Sequence, residues 1–126
     1  MIGYVTIGAK DSEASGKFYD AVFGAIGSER KSAEDGWIFY GPKGGEGLIA
    51  ICPPYDKKPA TAGNGSMLAY KAASPDEVKA AHAAGLAHGG SDEGAPGFRP
   101  VEATSGFYGA YLRDPTGNKL CVYCKA

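Results

Sequence analysis

The chain switches between two kinds of hydrophobic spacing, and it does so twice. Tyr4 to Gly8 alternates at a period of two and is rich in β-prone residues, as a half-buried strand requires. Asp11 then stands where it can cap a helix, and Ala14, Phe18, Ala21, Val22 and Ala25 fall on one helical stripe. Gly24 and Gly27 close that helix. Trp37 to Tyr40 and Leu48 to Cys52 read as strands on either side of the turn Gly41-Pro42-Lys43-Gly44-Gly45, and the weakly patterned Ser28 to Ala33 supplies one more.

The same order returns in the second half. Met67 to Ala72 reads as a strand, and Ser74-Pro75-Asp76-Glu77 has the form of a capping box with proline at the first helical position. A helix to about His88 follows, stopped by Gly89-Gly90. Phe107 to Arg113 and Leu120 to Cys124 flank Asp114-Pro115-Thr116-Gly117-Asn118, a strong hairpin signal. Moving the first half by 63 positions lays Tyr4 on Met67, Asp11 on Ser74 and Gly27 on Gly90; moving it by 72 lays Gly45 on Gly117, Ile49 on Cys121 and Cys52 on Cys124. The chain therefore reads as an internal duplication, with about nine extra residues of the second copy in Asp92 to Gly106. Residues 1–126 make one domain: a first module over about 1–52, a Pro-, Gly- and Ala-rich linker over about 53–65, and a second module over about 66–126.

Two βαβββ copies, with FYDAVFGAIG in the first helix and RDPTGNKL in the last hairpin, together resemble the vicinal oxygen chelate superfamily of glyoxalase I, bleomycin-resistance proteins and extradiol dioxygenases. The resemblance implies an α+β fold of two tandem βαβββ modules, whose half-barrel sheets enclose a cleft that usually holds a divalent metal. It also implies that strand edges and apolar faces are covered by pairing copies, so a homodimer is expected.

Charge and composition narrow the partners. A formal net charge of −1 and the lack of any Lys/Arg run interleaved with aromatics argue against nucleic acid. No apolar run approaches the roughly 18 residues of a membrane span, and MIGYVTIG reads as a strand rather than a leader. Three cysteines cannot all pair, and Cys121 and Cys124 should point to opposite faces of one strand. A cytoplasmic, reduced protein is expected.

The resemblance places metal ligands on the first and fourth strands of each copy, at Tyr4, Ile49, Met67 and Cys121 by the shifts above. That is no set for a hard cation, so no metal ligand and no cofactor is expected, although a divalent metal on unexpected ligands stays open. The two histidines, His82 and His88, lie about 240° apart around one helix and cannot share an ion. His82 fits a packed, hydrogen-bonded imidazole, and His88 fits the negative end of the helix dipole. Glu46, Glu93 and Glu102 fall in or near loops, where one of them acting as a general base competes with plain solvation.

Alternation assigns Tyr4, Thr6, Ile49, Ile51, Met67, Ala69, Cys121 and Tyr123 to the cleft, and Val5, Ile7, Leu48, Leu68, Tyr70, Leu120 and Val122 to the helix side. The cleft so drawn carries no charge on its strands, and Arg99 in the long loop from Glu93 to Pro100 is its one candidate clamp for an acidic group. Such a lining suits a small organic, partly aromatic ligand. Two other readings remain: a lactoylglutathione lyase-like or dioxygenase-like enzyme, a lyase or isomerase with no catalytic residue identified, and a dimeric interaction module without a small ligand.

Overall fold

Each half of the chain builds the same five elements, and the computed structural model describes residues 1–126 throughout. Strand β1 (Val5–Gly8) leads to helix α1 (Ser12–Gly24), then β2 (Ser28–Glu34), β3 (Trp37–Pro42) and β4 (Ile49–Cys52). The second module runs β5 (Met67–Lys71), α2 (Pro75–Ala87), β6 (Ser91–Phe98), β7 (Phe107–Arg113) and β8 (Lys119–Lys125). The fold is α+β, two tandem βαβββ modules. No helix is long and apolar enough to cross a membrane.

Local chemistry explains where the helices begin. The Asp11 carboxylate accepts from the N–H groups of Glu13 and Ala14 at 3.0 and 3.1 Å, satisfying donors that a helix start leaves over. Ser74 Oγ accepts from Glu77 N–H at 3.2 Å, while the Glu77 carboxylate reaches past Ser74 to the Ala73 N–H at 3.1 Å. The helices pack on one another because Gly85 and Gly90 leave room for Phe18: a Cβ at Gly90 would lie 2.4 Å from the Phe18 ring. Phe18, Val22 and Val78 are fully buried in a single core drawn from both modules.

The sheets have strand orders β1-β4-β3-β2 and β5-β8-β7-β6, with the first strand of each module parallel to the last. Val5 pairs with Ile49, Thr6 with Ala50, and Ile7 and Ile38 with Ile51. Ile49 and Ile51 therefore face the helices, where Ile51 is fully buried and Ile49 packs against the core. Tyr4, Thr6, Leu48 and Ala50 occupy the opposite, open face, and Leu48 is 42% exposed. This corrects the expected placement of Ile49 and Ile51 in the cleft and of Leu48 under the helix. The cause is one residue of hairpin: residues 41–48 separate the neighbours Tyr40 and Ile49, whereas the shorter stretch 113–119 separates Leu112 and Leu120. The counterpart of Cys121 is thus Ala50, and a slip of one residue exchanges the faces of a whole strand.

In the second sheet the expected faces hold. Met67 pairs with Lys119, Ala69 with Cys121 and Lys71 with Tyr123 on the open side, while Leu120, Val122 and Cys124 are buried in the core. The long loop expected over Glu93 to Pro100 is mostly strand. β6 pairs with β7 through two shifts of register, which accommodate Gly94, Pro96 and Gly97. The outer edge of the first sheet, β2, reads SERKSAE and has its own bulge between Arg30 and Ser32.

The inner edges, β1 and β5, share no ladder of hydrogen bonds. Side chains of the β7–β8 turn join the modules instead. Asp114, only 4% exposed, accepts at Oδ1 from the N–H groups of Thr116, Gly117 and Asn118, and at Oδ2 from the Tyr19 hydroxyl of α1 at 2.8 Å. Asn118 Nδ2 donates to Gly8 O at 2.9 Å, and Lys10 N–H donates to Thr116 Oγ1 at 3.1 Å.

Two stability tests follow. Asp114→Ala removes the acceptor of three turn N–H groups, that of Thr116 buried, and of the buried Tyr19 hydroxyl, and should cost about 3 kcal/mol or more in chemical denaturation, against about 1–2 kcal/mol for Tyr19→Phe. The face assignment predicts that Ile51→Ser costs about 3–5 kcal/mol and Leu48→Ser under about 1 kcal/mol; equal effects would contradict the register.

Candidate functional site

Because β1 and β5 do not pair, a cavity of about 530 Å³ opens between them. Thr6, Ile7 and Gly8 form one wall, Met67 and Leu68 the other, and Asn118 and Lys119 close one side. The linker is not slack: Ala60 is buried against Gly8, and Thr61, Gly63 and Gly65 border the cavity. Met67 is 43% exposed, and Lys119 is the one charged residue in the lining. The volume falls within the range of small-molecule sites.

On the open face of the second sheet, next to Lys119, lies a cationic and aromatic cluster. Lys119 Nζ and the Arg99 guanidinium each sit 5.6 Å from the centre of the Tyr111 ring, within range of a cation–π attraction. Arg99 donates to the carbonyls of Phe98 and Ala95 at 3.1 and 2.9 Å, which fixes its plane. Beneath Tyr111 is Cys121, 1% exposed. Burial pushes the Cys121 thiol up, partly offset by the neighbouring Tyr111 and by the charges of Arg99 and Lys119. Burial also raises Tyr111. At neutral pH the thiol is protonated and covered.

The residues expected at the cleft divide into groups. Thr6 and Met67 line the seam cavity. Ile49 and Ala69 border a smaller, more apolar cavity of about 200 Å³ at the other end of β5, with Phe23, Tyr40, Leu48 and Tyr70. Tyr4 packs on Phe39 at 6.0 Å, and Tyr123 stacks on Phe107 at 5.2 Å. Ile51 is in the core, and Cys121 and Arg99 belong to the Tyr111 cluster. The sequence reading missed Tyr111 and Lys119, and with them the positive charge on the face. The signal was present, because Lys119 is two residues before Cys121 and alternation puts both on one side.

Other candidates have structural partners. His82 is 8% exposed with Nε2 at 2.8 Å from Asp92, a packed and hydrogen-bonded imidazole. His88 Nδ1 lies 2.8 Å from the Ala84 carbonyl in the last helical turn. Glu93 is paired with Arg113 at 2.7 Å, and that guanidinium holds its carboxyl below the usual range. Glu46 and Glu102 are exposed. Cys52, Cys121 and Cys124 are all free and buried.

A family model described as Glyoxalase/Bleomycin resistance protein/Dioxygenase superfamily matches residues 1–122. The chain belongs to this superfamily. A solved glyoxalase/bleomycin resistance protein from Albidiferax ferrireducens T118 is 41% identical, with 98% of each chain covered and a TM-score of 0.86. A glyoxalase-related enzyme from Fulvimarina pelagi is 23% identical, covering 98% of this chain and 87% of that one at a TM-score of 0.74. A lactoylglutathione lyase from Agrobacterium tumefaciens is 21% identical, covering 98% and 92% at a TM-score of 0.65. These last two likenesses speak for the fold alone. No match is found among curated proteins.

For a superfamily whose clefts usually hold a divalent metal, the residues on the corresponding strands are a poor fit. Corrected for register, the four positions are Tyr4, Ala50, Met67 and Cys121. An alanine has no donor atom, a thioether is a poor ligand for a hard cation, and the Cys121 thiol is held protonated. Nowhere in the chain do three or more His, Cys, Asp or Glu side chains gather at metal-binding distances.

The cover over Cys121 is testable. Iodoacetamide at neutral pH should leave the folded protein unmodified, because all three thiols are buried and their pKa values raised. Tyr111→Ala should expose Cys121 first, as one added label located by peptide mass.

Proposed function

We propose that this chain is a metal-independent, glyoxalase-like protein that binds a small organic molecule with an apolar or aromatic body in the cavity between β1 and β5. The observation that carries the reading is the cavity itself. It lies between the first strands of the two modules, and its lining offers Val5, Ile7, Met67 and Leu68 beside the hydroxyls of Thr6, Thr61 and Ser66 and the Asn118 amide, with no ligand set. Apolar side chains combined with hydroxyl and amide groups that fix orientation suit an organic ligand. The lyase, isomerase and dioxygenase readings have no identified acid, base or nucleophile: Cys121 is capped by Tyr111, Glu93 is tied to Arg113, and both histidines are engaged.

Three results would support this reading. Metal analysis of the purified protein should find well under one equivalent of Zn²⁺, Ni²⁺, Fe²⁺ or Mn²⁺; near one equivalent, lost on substitution of Tyr4, Met67 or Cys121, overturns it. A ligand found by thermal-shift screening of metabolites should lose binding in Met67→Trp, whose indole fills the cavity, and keep it in Lys31→Ala, whose side chain pairs with Glu29 on the surface. The open faces also expose Tyr4, Trp37, Leu48 and Met67, an apolar surface suited to burial against a second copy. Sedimentation at micromolar concentration should accordingly give a homodimer.

A further inference from the structure

We propose that the ligand of this cavity is an organic acid whose carboxylate is bound by Lys119, with Arg99 as a second cation across Tyr111. The inference rests on the cavity reading above and names the class of molecule it takes.

Lys119 is the sole charged residue among those lining the cavity, and it is half-buried. No carboxylate lies within ion-pair distance of it or of Arg99, although Arg113 on the same sheet is paired with Glu93 and Arg30 with Asp20. A lysine without an ion-pair partner in the cavity lining, with a second unpaired cation over the adjoining Tyr111 ring, favours an incoming negative charge.

Arg99 is held rather than loose. Its guanidinium lies against backbone where a Cβ on Gly94 or Gly97 would come within 3.3 Å of its nitrogens, its other side is over Tyr111, and two carbonyls accept from it. A cation fixed in advance loses little freedom on binding. Its position therefore suits recognition better than a solvated loop arginine would.

The charge count favours a monoanion with a body over inorganic phosphate. Two of the Arg99 donors are already used, Glu93 is near enough to Lys119 to feel its charge, and no residue of either helix N-terminus lines the cavity to hold a dianion. The hydroxyls of Thr6, Thr61 and Ser66 and the apolar Met67 and Leu68 provide the rest of the surface.

Benzoate, with its neutral isostere benzamide and inorganic phosphate, tests the assignment by calorimetry or by chemical-shift titration on the intact protein. Benzoate should bind saturably, and benzamide and phosphate should each bind at least about tenfold more weakly. Lys119→Gln should weaken benzoate about tenfold and Arg99→Gln several-fold, both without loss of thermal stability, while Lys79→Gln on the exposed face of α2 should change nothing. Benzamide bound as tightly as benzoate, with both lost in Met67→Trp, would overturn the acid and leave the cavity reading standing. Benzoate binding that fails in Lys119→Gln but survives Met67→Trp would keep the anion contact and overturn the cavity as its seat. Phosphate binding more tightly than benzoate, or no saturable response to benzoate at tens of millimolar, would overturn the proposal itself.

Discussion

A carboxylate shut away from water must find donors for its lone pairs, and Asp114 finds them in the turn it starts and in the opposite module. Three backbone N–H groups of its own turn, the Asn118 side-chain amide and the Tyr19 hydroxyl saturate it. Because Tyr19 belongs to α1, a single buried charge fixes both the hairpin and the position of the first module's helix over it. The neighbouring Asn118 amide reaches Gly8 at the end of β1, so the two inner strand edges are set side by side without being paired. The space between them is a direct result. Had β1 and β5 formed a ladder, the sheets would be continuous and the cavity closed.

This arrangement explains why the elements were legible in the sequence and the face of β4 was not. Caps, stops and the Asp-Pro-x-Gly-Asn turn are local chemistry, so Asp11, Ser74 and Asp114 announce themselves without knowledge of the fold. The face of a strand depends on counting from a fixed point, and Gly45 was the wrong one: its hairpin is a residue longer than the one around Gly117. Ile49 and Ile51 moved to the core through that difference alone. A similar limit hid β6, whose Gly94, Pro96 and Gly97 read as loop and are tolerated only because two register shifts absorb them. Lys119 was missed for another reason. It fell between the turn ending at Asn118 and the strand expected from Leu120, although it opens β8 and shares a side with Cys121.

The chemistry of the open face follows from those placements. On the strands where the superfamily usually supplies metal ligands this chain has Tyr4, Ala50, Met67 and the covered Cys121 thiol, and two cations lie over the Tyr111 ring beside that thiol. The half-buried Arg99 and Lys119 are less screened than fully exposed charges.

The outer edges of the two sheets have a consequence for how the protein behaves at high concentration. β2 presents Glu29, Arg30 and Lys31 with a bulge, and β6 is broken by Pro96 and two irregular steps. Neither edge is a flat row of free amides and carbonyls onto which another chain could zip. Growth of sheet from copy to copy, the usual route from a native β-rich protein to fibrils, is blocked at both ends. The apolar side chains exposed on the open faces lie away from both of these edges.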